Sequence, residues 1–269
     1  MNIKGEVMLI KTLASVMLIM TLWEGYAKSA EKVKIGFIQA SEPHVIVEGQ
    51  VIKGIQPDHF RESLKLSNLE LEAKVANIQR LIHEFKSKSL DCVTPLNEDT
   101  GVKGNYTKQF TTIYENAAIY LKNQKFNVKN FDDFKGRTII AFQNASKWLQ
   151  PEYQKGIKDA KRYREIDDVT SIPAMVYAQR SEAEIAVLDI NMFKGQTLRL
   201  VKNKKSSLNN VKPTVADTLK NVAFKKIFKP AQFRSVCHNA AYTAAIDKGF
   251  TQIIKSGQHE AIVSKYTSD

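Results

Sequence analysis

Cysteine is scarce in this chain, with only Cys92 and Cys237 among 269 residues. Their separation leaves two readings open, a bridge in an oxidising compartment or a buried thiol within "LDCVTP". The five histidines, at 44, 59, 83, 238 and 259, lack the spacing of a zinc site, so no metal and no cofactor are expected. No paired carboxylates and no nucleophile with a base at hand stand out, which argues against an enzyme. Long apolar runs are missing after the N-terminus, so no later segment approaches a transmembrane span. A composition of 43% hydrophobic and 25% charged residues excludes a disordered chain and suits one large domain or two lobes.

The N-terminus does carry an apolar run, from Thr12 to Trp23 behind Lys11, followed by Glu24-Gly-Tyr-Ala27. This is the pattern of a secretory signal peptide over residues 1–27, with small residues placed for cleavage after Ala27. Met8 is a second candidate start, and an uncleaved anchor is the rival reading. The expected location is the periplasm, reached through a cleavable signal.

Lys4 and Lys11 balance Glu6 and Glu24, so the whole formal charge of +12 belongs to the rest of the chain. It concentrates only in "RLVKNKKSSLNNVK", residues 199–212, whose Ser and Asn content reads as a solvated surface loop. A nucleic-acid partner is not expected.

Two α/β runs follow. Val33–Ile38, Leu69–Val75 and Leu90–Thr94 read as strands, with helices over Pro57–Leu66 and after Asn77, where Ile78, Leu81, Ile82 and Phe85 share a face. The second run has strands at Thr138–Phe142, Tyr163–Ile166 and Glu184–Leu188, with helices at Ser146 to about Gln154 and Ser171–Arg180. Leu219–Phe228 is a further strand candidate, and helices Ala240–Ser256 and His259–Tyr266 close the chain. Such an order predicts largely parallel sheets with a ligand crevice at the carboxyl ends of their strands.

Several phrases, in order along the chain, resemble the family 3 extracellular solute-binding proteins, the amino-acid-binding components of ABC importers. They are "KIGFIQASEPHVIVEGQVIKGIQPDHF", "LIHEFKSKSLDCVTP", "YTKQF", "NFDDFKGRTIIAFQNAS", "EIAVLDINMF" and "AIDKGFTQIIKSGQHEAIVSKY". The resemblance implies an α/β clamshell of the type II periplasmic-binding-protein kind. Its lobe I would comprise residues 31–117 and 216–269, its lobe II residues 118–215, with two crossovers as hinge. A monomer would capture a small polar solute between the lobes and present it to an ABC permease. The alternative is a ligand-sensing subunit read by a membrane sensor, and a dehydratase-type enzyme on this fold is a remote third.

By position, the resemblance places ligand contacts at Ser41, Glu42 and His44 after the first strand, at Thr94 and Asn97, at Asn144 and Ser146, and at Asp189. His44 could equally be a solvated loop residue, and Asp189 could instead cap the next helix. Asn144–Ser146 likewise allows two readings, ordinary capping or a helix start that receives an anion. One departure is plain: "TPLNEDTGVKGNYTKQF" lacks the arginine with which such proteins grip an α-carboxylate in a bidentate pair. Lys103 is a point charge on a flexible stem and does not replace that fork.

Overall fold

The structure, a computed structural model, describes residues 30–39, 42–179, 183–203 and 210–269. The expected signal peptide, Ser41, Lys204 and Lys205 lie outside the described residues. Lys32–Asp269 form one unit by their contacts.

The first sheet begins with β1 (Glu31–Ile38). A short hairpin of β2 (Ile46–Glu48) and β3 (Val51–Lys53) leads into helix α1 (Ile55–Lys65), then β4 (Leu69–Ala76), α2 (Ile78–Lys86) and β5 (Cys92–Leu96). Asn77 caps α2 by accepting a hydrogen bond from the Arg80 N–H at 3.0 Å. That turns Leu81 and Phe85 of the predicted apolar face into the core. β6 (Asn105–Tyr106) and β7 (Thr112–Tyr114) end this run.

After Glu115 the chain enters a second sheet through β8 (Asn116–Leu121), β9 (Thr138–Phe142), α3 (Ala145–Trp148) and α4 (Pro151–Gly156). β10 (Arg162–Ile166), α5 (Ile172–Tyr177), β11 (Ile185–Asp189), α6 (Ile190–Lys202), α7 (Val215–Lys220) and β12 (Val222–Lys225) complete it. β13 (Ala231–Cys237) returns to the first sheet, and α8 (Ala240–Lys255) and α9 (Gln258–Thr267) follow.

Strand order is β4-β1-β5-β13-β6 in the first sheet, with β7 also paired to β13, and β10-β9-β11-β8-β12 in the second. β1 and β5 pair parallel, as β9 does with β10 and β11, while β13 and β8 run antiparallel to their neighbours. Helices cover both faces of each sheet, which is why the strands read as continuous apolar runs. In β11, Ala186 and Leu188 enter one core while Ile185 and Val187 enter the other, and all four are fully buried. Each of the three larger side chains contributes roughly 1.5–3 kcal/mol through burial.

The structure corrects several expectations. The helix foreseen over Ser146–Gln154 is two helices, because Pro151 starts a new one and Leu149 is extended. Leu219 belongs to α7, so the following strand shortens to Val222–Lys225. That strand pairs antiparallel with β8 in the second sheet, and residues 226–230 lead from it to β13 in the first. Cys92 and Cys237 stand opposite one another on β5 and β13 and form a disulfide, which decides between the two readings. No described helix is long and apolar enough to cross a membrane.

Candidate functional site

A cavity of about 550 Å³ opens where the carboxyl ends of the strands meet. Ile38 ends β1 and Gln39 follows it, Phe142 ends β9 and Gln143 follows it, and Leu188 and Asp189 end β11. Tyr114, Asn116, Ala231 and Phe233 flank the two passages of the chain between sheets, while Trp148 and Met192 come from α3 and α6. Strand ends of parallel α/β sheets gather such a crevice because the connecting loops diverge there. Its walls are mainly apolar and aromatic. Tyr114 and Phe233 meet edge to face at 5.9 Å, and Phe142 and Trp148 lie 6.3 Å apart. Trp148 is 73% exposed, the largest such value among the exposed hydrophobic residues described.

Asp189 lines the cavity yet is only 2% exposed. Its Oδ1 accepts the Met192 N–H at 3.0 Å, so the residue caps α6, one of the two roles its position allows. The same oxygen lies 2.8 Å from His44 Nε2, and Oδ2 accepts the Glu115 N–H at 2.8 Å. Asp189 thus ties together a helix start, the crossover residue between sheets and the loop after β1. His44 is buried, with its ring edge to face on Tyr114 at 4.7 Å, which removes it from the solvated class. Burial pushes the Tyr114 hydroxyl up to about 12, although Gln56 donates to it at 3.0 Å, so it stays a neutral wall.

The loop carrying Glu42 and His44 is held from two sides. The Pro43 and His44 carbonyls accept the Ile55 and Gln56 N–H groups at the start of α1, both at 3.0 Å. On the other side Glu42 pairs with Arg199 of α6 at 2.7 Å, and Pro43 packs on Gly195 so closely that a Cβ there would stand 2.8 Å from the ring. Glu42 and His44 therefore join the loop after β1 to the helix after β11.

Asn144 and Ser146 are also engaged within the protein. The Asn144 N–H donates to Glu165 Oε2 at 2.7 Å and the Ser146 N–H to Oε1 at 2.9 Å, while Tyr163 donates its hydroxyl to Oε1 at 2.8 Å. Burial raises the Glu165 carboxyl, but hydrogen bonds from Ser146, Tyr163 and Asn144 outweigh it and hold it below its ordinary value. The strand ends on small polar residues because their backbone wraps a carboxylate, and the carboxylate is the chain's own. Asn144 makes no side-chain cap here; its backbone sits at φ 64°.

Thr94 and Asn97 do not line the cavity. Thr94 is fully buried, 3.4 Å from Thr111 Oγ1, and Asn97 donates to the Gln232 carbonyl at 3.2 Å. Tyr114, Phe142, Trp148, Met192, Phe233 and Glu165 escaped the sequence reading. Only Trp148, an aromatic residue in the polar stretch after Asn144, carried a local signal.

No family model matches the chain, and no curated protein does. Solved structures do match. The chain is similar to a polar amino acid ABC uptake transporter substrate-binding protein from Streptococcus thermophilus, at 15% identity and a TM-score of 0.64 over 92% of this chain and 91% of that one. The fold is that of a type II periplasmic binding protein. A mutant of ArgBP from T. maritima shares this binding-protein fold at 17% identity and a TM-score of 0.53, over 89% of this chain and 96% of that one. So does a histidine kinase sensor domain with similarity to periplasmic binding proteins, at 14% identity and a TM-score of 0.55, over 88% and 96%.

Proposed function

We propose that the chain is a periplasmic solute-binding protein, which takes a small solute into the cavity between its two sheets and presents it to an ABC permease. The observation that carries this reading is the cavity itself. It gathers strand ends from both sheets at the two places where the chain crosses between them, and the solvent-exposed Trp148 is one of its aromatic walls. The proposed lobes are residues 31–115 with 231–269, and 116–225, hinged at Glu115 and at 226–230. The Lys226–Glu115 ion pair at 2.8 Å links the two crossovers. Solute contacting both lobes would favour the closed arrangement through contacts made only there.

Export fits the disulfide and the N-terminal signal. The protein acts as a monomer, without nucleic acid and without catalysis. Similarity to a histidine kinase sensor domain favours a second reading, in which a membrane sensor takes the permease's place.

Titration calorimetry of the exported chain against amino acids, polyamines, small carboxylates, sugars and neutral aromatic compounds tests the proposal. One-to-one saturable binding within one class is expected; no heat from any class would send the function elsewhere.

A further inference from the structure

The cavity's chemistry speaks to what it holds. Among the described residues lining it, Asp189 is the only Asp, Glu, Lys, Arg or His. Both of its oxygens are engaged, by His44, Met192 and Glu115. The backbone N–H groups of Asn144 and Ser146, beside the cavity residues Phe142 and Gln143, are closed by Glu165. A carboxylate brought into this cleft would find no cationic side chain on its walls, and an ammonium group would find an acid whose lone pairs already serve three donors. Burying a charge without a partner is costly, so each charge on a solute lowers its affinity here. What the walls do offer is aromatic surface and three side-chain amides, Gln39, Asn116 and Gln143, which make no hydrogen bond within the described protein. The amides can donate and accept.

We infer that the cleft selects an uncharged, largely apolar solute of aromatic size carrying one or two hydroxyl or amide groups, rather than a free amino acid. The inference rests on the solute-binding reading and names the ligand class for the same site. Aromatic side chains stack on such a body, and an amide or two fixes its orientation.

A matched series with one ring system and four charge states tests it: tryptophol (neutral), tryptamine (cation), indole-3-acetate (anion) and tryptophan (zwitterion). Ligand-observed NMR and titration calorimetry with the full exported chain should rank tryptophol first, about tenfold or more above each charged analogue. Trp148→Ala, at an exposed position that leaves the fold alone, should weaken tryptophol roughly fivefold through loss of a ring contact. Tryptophan, tryptamine or indole-3-acetate binding as tightly as tryptophol would overturn the ligand class while leaving solute binding intact. An unchanged affinity in Trp148→Ala would overturn the cleft as the place of selection. Silence from all four overturns the inference, and a response elsewhere in the calorimetric panel would show that the solute-binding reading survives it.

Discussion

His44 Nε2 lies 2.8 Å from Asp189 Oδ1, with both side chains 3% exposed, and this buried contact joins the loop after β1 to the end of β11. The two residues are 145 positions apart in sequence. A buried hydrogen bond to a carboxylate in such a place is expensive to break, since removing the histidine leaves the acid without that partner.

His44→Ala should therefore cost about 3 kcal/mol of unfolding free energy in urea. Arg199→Ala, which removes the neighbouring exposed pair with Glu42 (side chains 53% and 35% exposed), should cost about 0–1 kcal/mol. Equal losses in the two variants would show that burial does not set the value of the His44–Asp189 contact.

Glu165 provides a second test. Glu165→Ala strips the acceptor from the Asn144 and Ser146 N–H groups and from the Tyr163 hydroxyl, at a cost of about 1–3 kcal/mol. Millimolar sulfate or acetate should raise the melting temperature of this variant more than that of the wild type, because the freed N–H groups donate to an external anion. Identical responses to anions would show that the turn collapses instead of opening.

Acid should weaken the fold through His59. Its ring stacks on His259 at 5.0 Å, with His59 Nε2 3.1 Å from His259 Nδ1. Burial first, and then the His259 charge, push His59 down to about 4 despite the opposing pull of Asp58. The unfolded chain binds this proton near 6.5, so it holds more protons than the folded chain between those values. Stability is full above pH 6.5 and falls as pH drops towards 4, by an amount on the order of 3 kcal/mol. Denaturant midpoints from pH 7 to 4 should show this slope in the wild type and a flatter one in His59→Leu.

The Cys92–Cys237 bridge closes a sequence separation of 145 residues. Replacing both with alanine should cost about 4 kcal/mol, chiefly by freeing the unfolded chain. Unchanged stability under reduction and in the double variant would show that the bridge contributes nothing.

The fold was legible where one face of an element is apolar and its ends are signalled. Asn77 and the Ile78–Phe85 stripe marked α2, and Thr138–Phe142 marked β9 to the residue. β8, "NAAIYL", is buried on both faces and shows no alternation, so its sequence does not signal a strand. α6, opening with "INMFKG", is not signalled either, beyond Asp189 as a candidate cap before it. The candidate site was less legible, for a physical reason. Its walls come from residues as distant as Tyr114 and Phe233, whose adjacency arises only through the pairing of β7 with β13. Position along the chain pointed to Asn144, Ser146, His44 and Asp189, but it could not reveal that Glu165 and His44 already stand against them.

The central claim is that the cleft binds a solute, and thermal shift of the wild type beside Phe233→Ala tests it most directly. A compound at about 100 times its dissociation constant stabilises by about 2.7 kcal/mol. At roughly 2–4 °C per kcal/mol, that predicts a rise of about 5–10 °C for the wild type. The account predicts such a rise for at least one member of the panel and a clearly smaller one in Phe233→Ala; no shift with any compound, or equal shifts in both proteins, would contradict it.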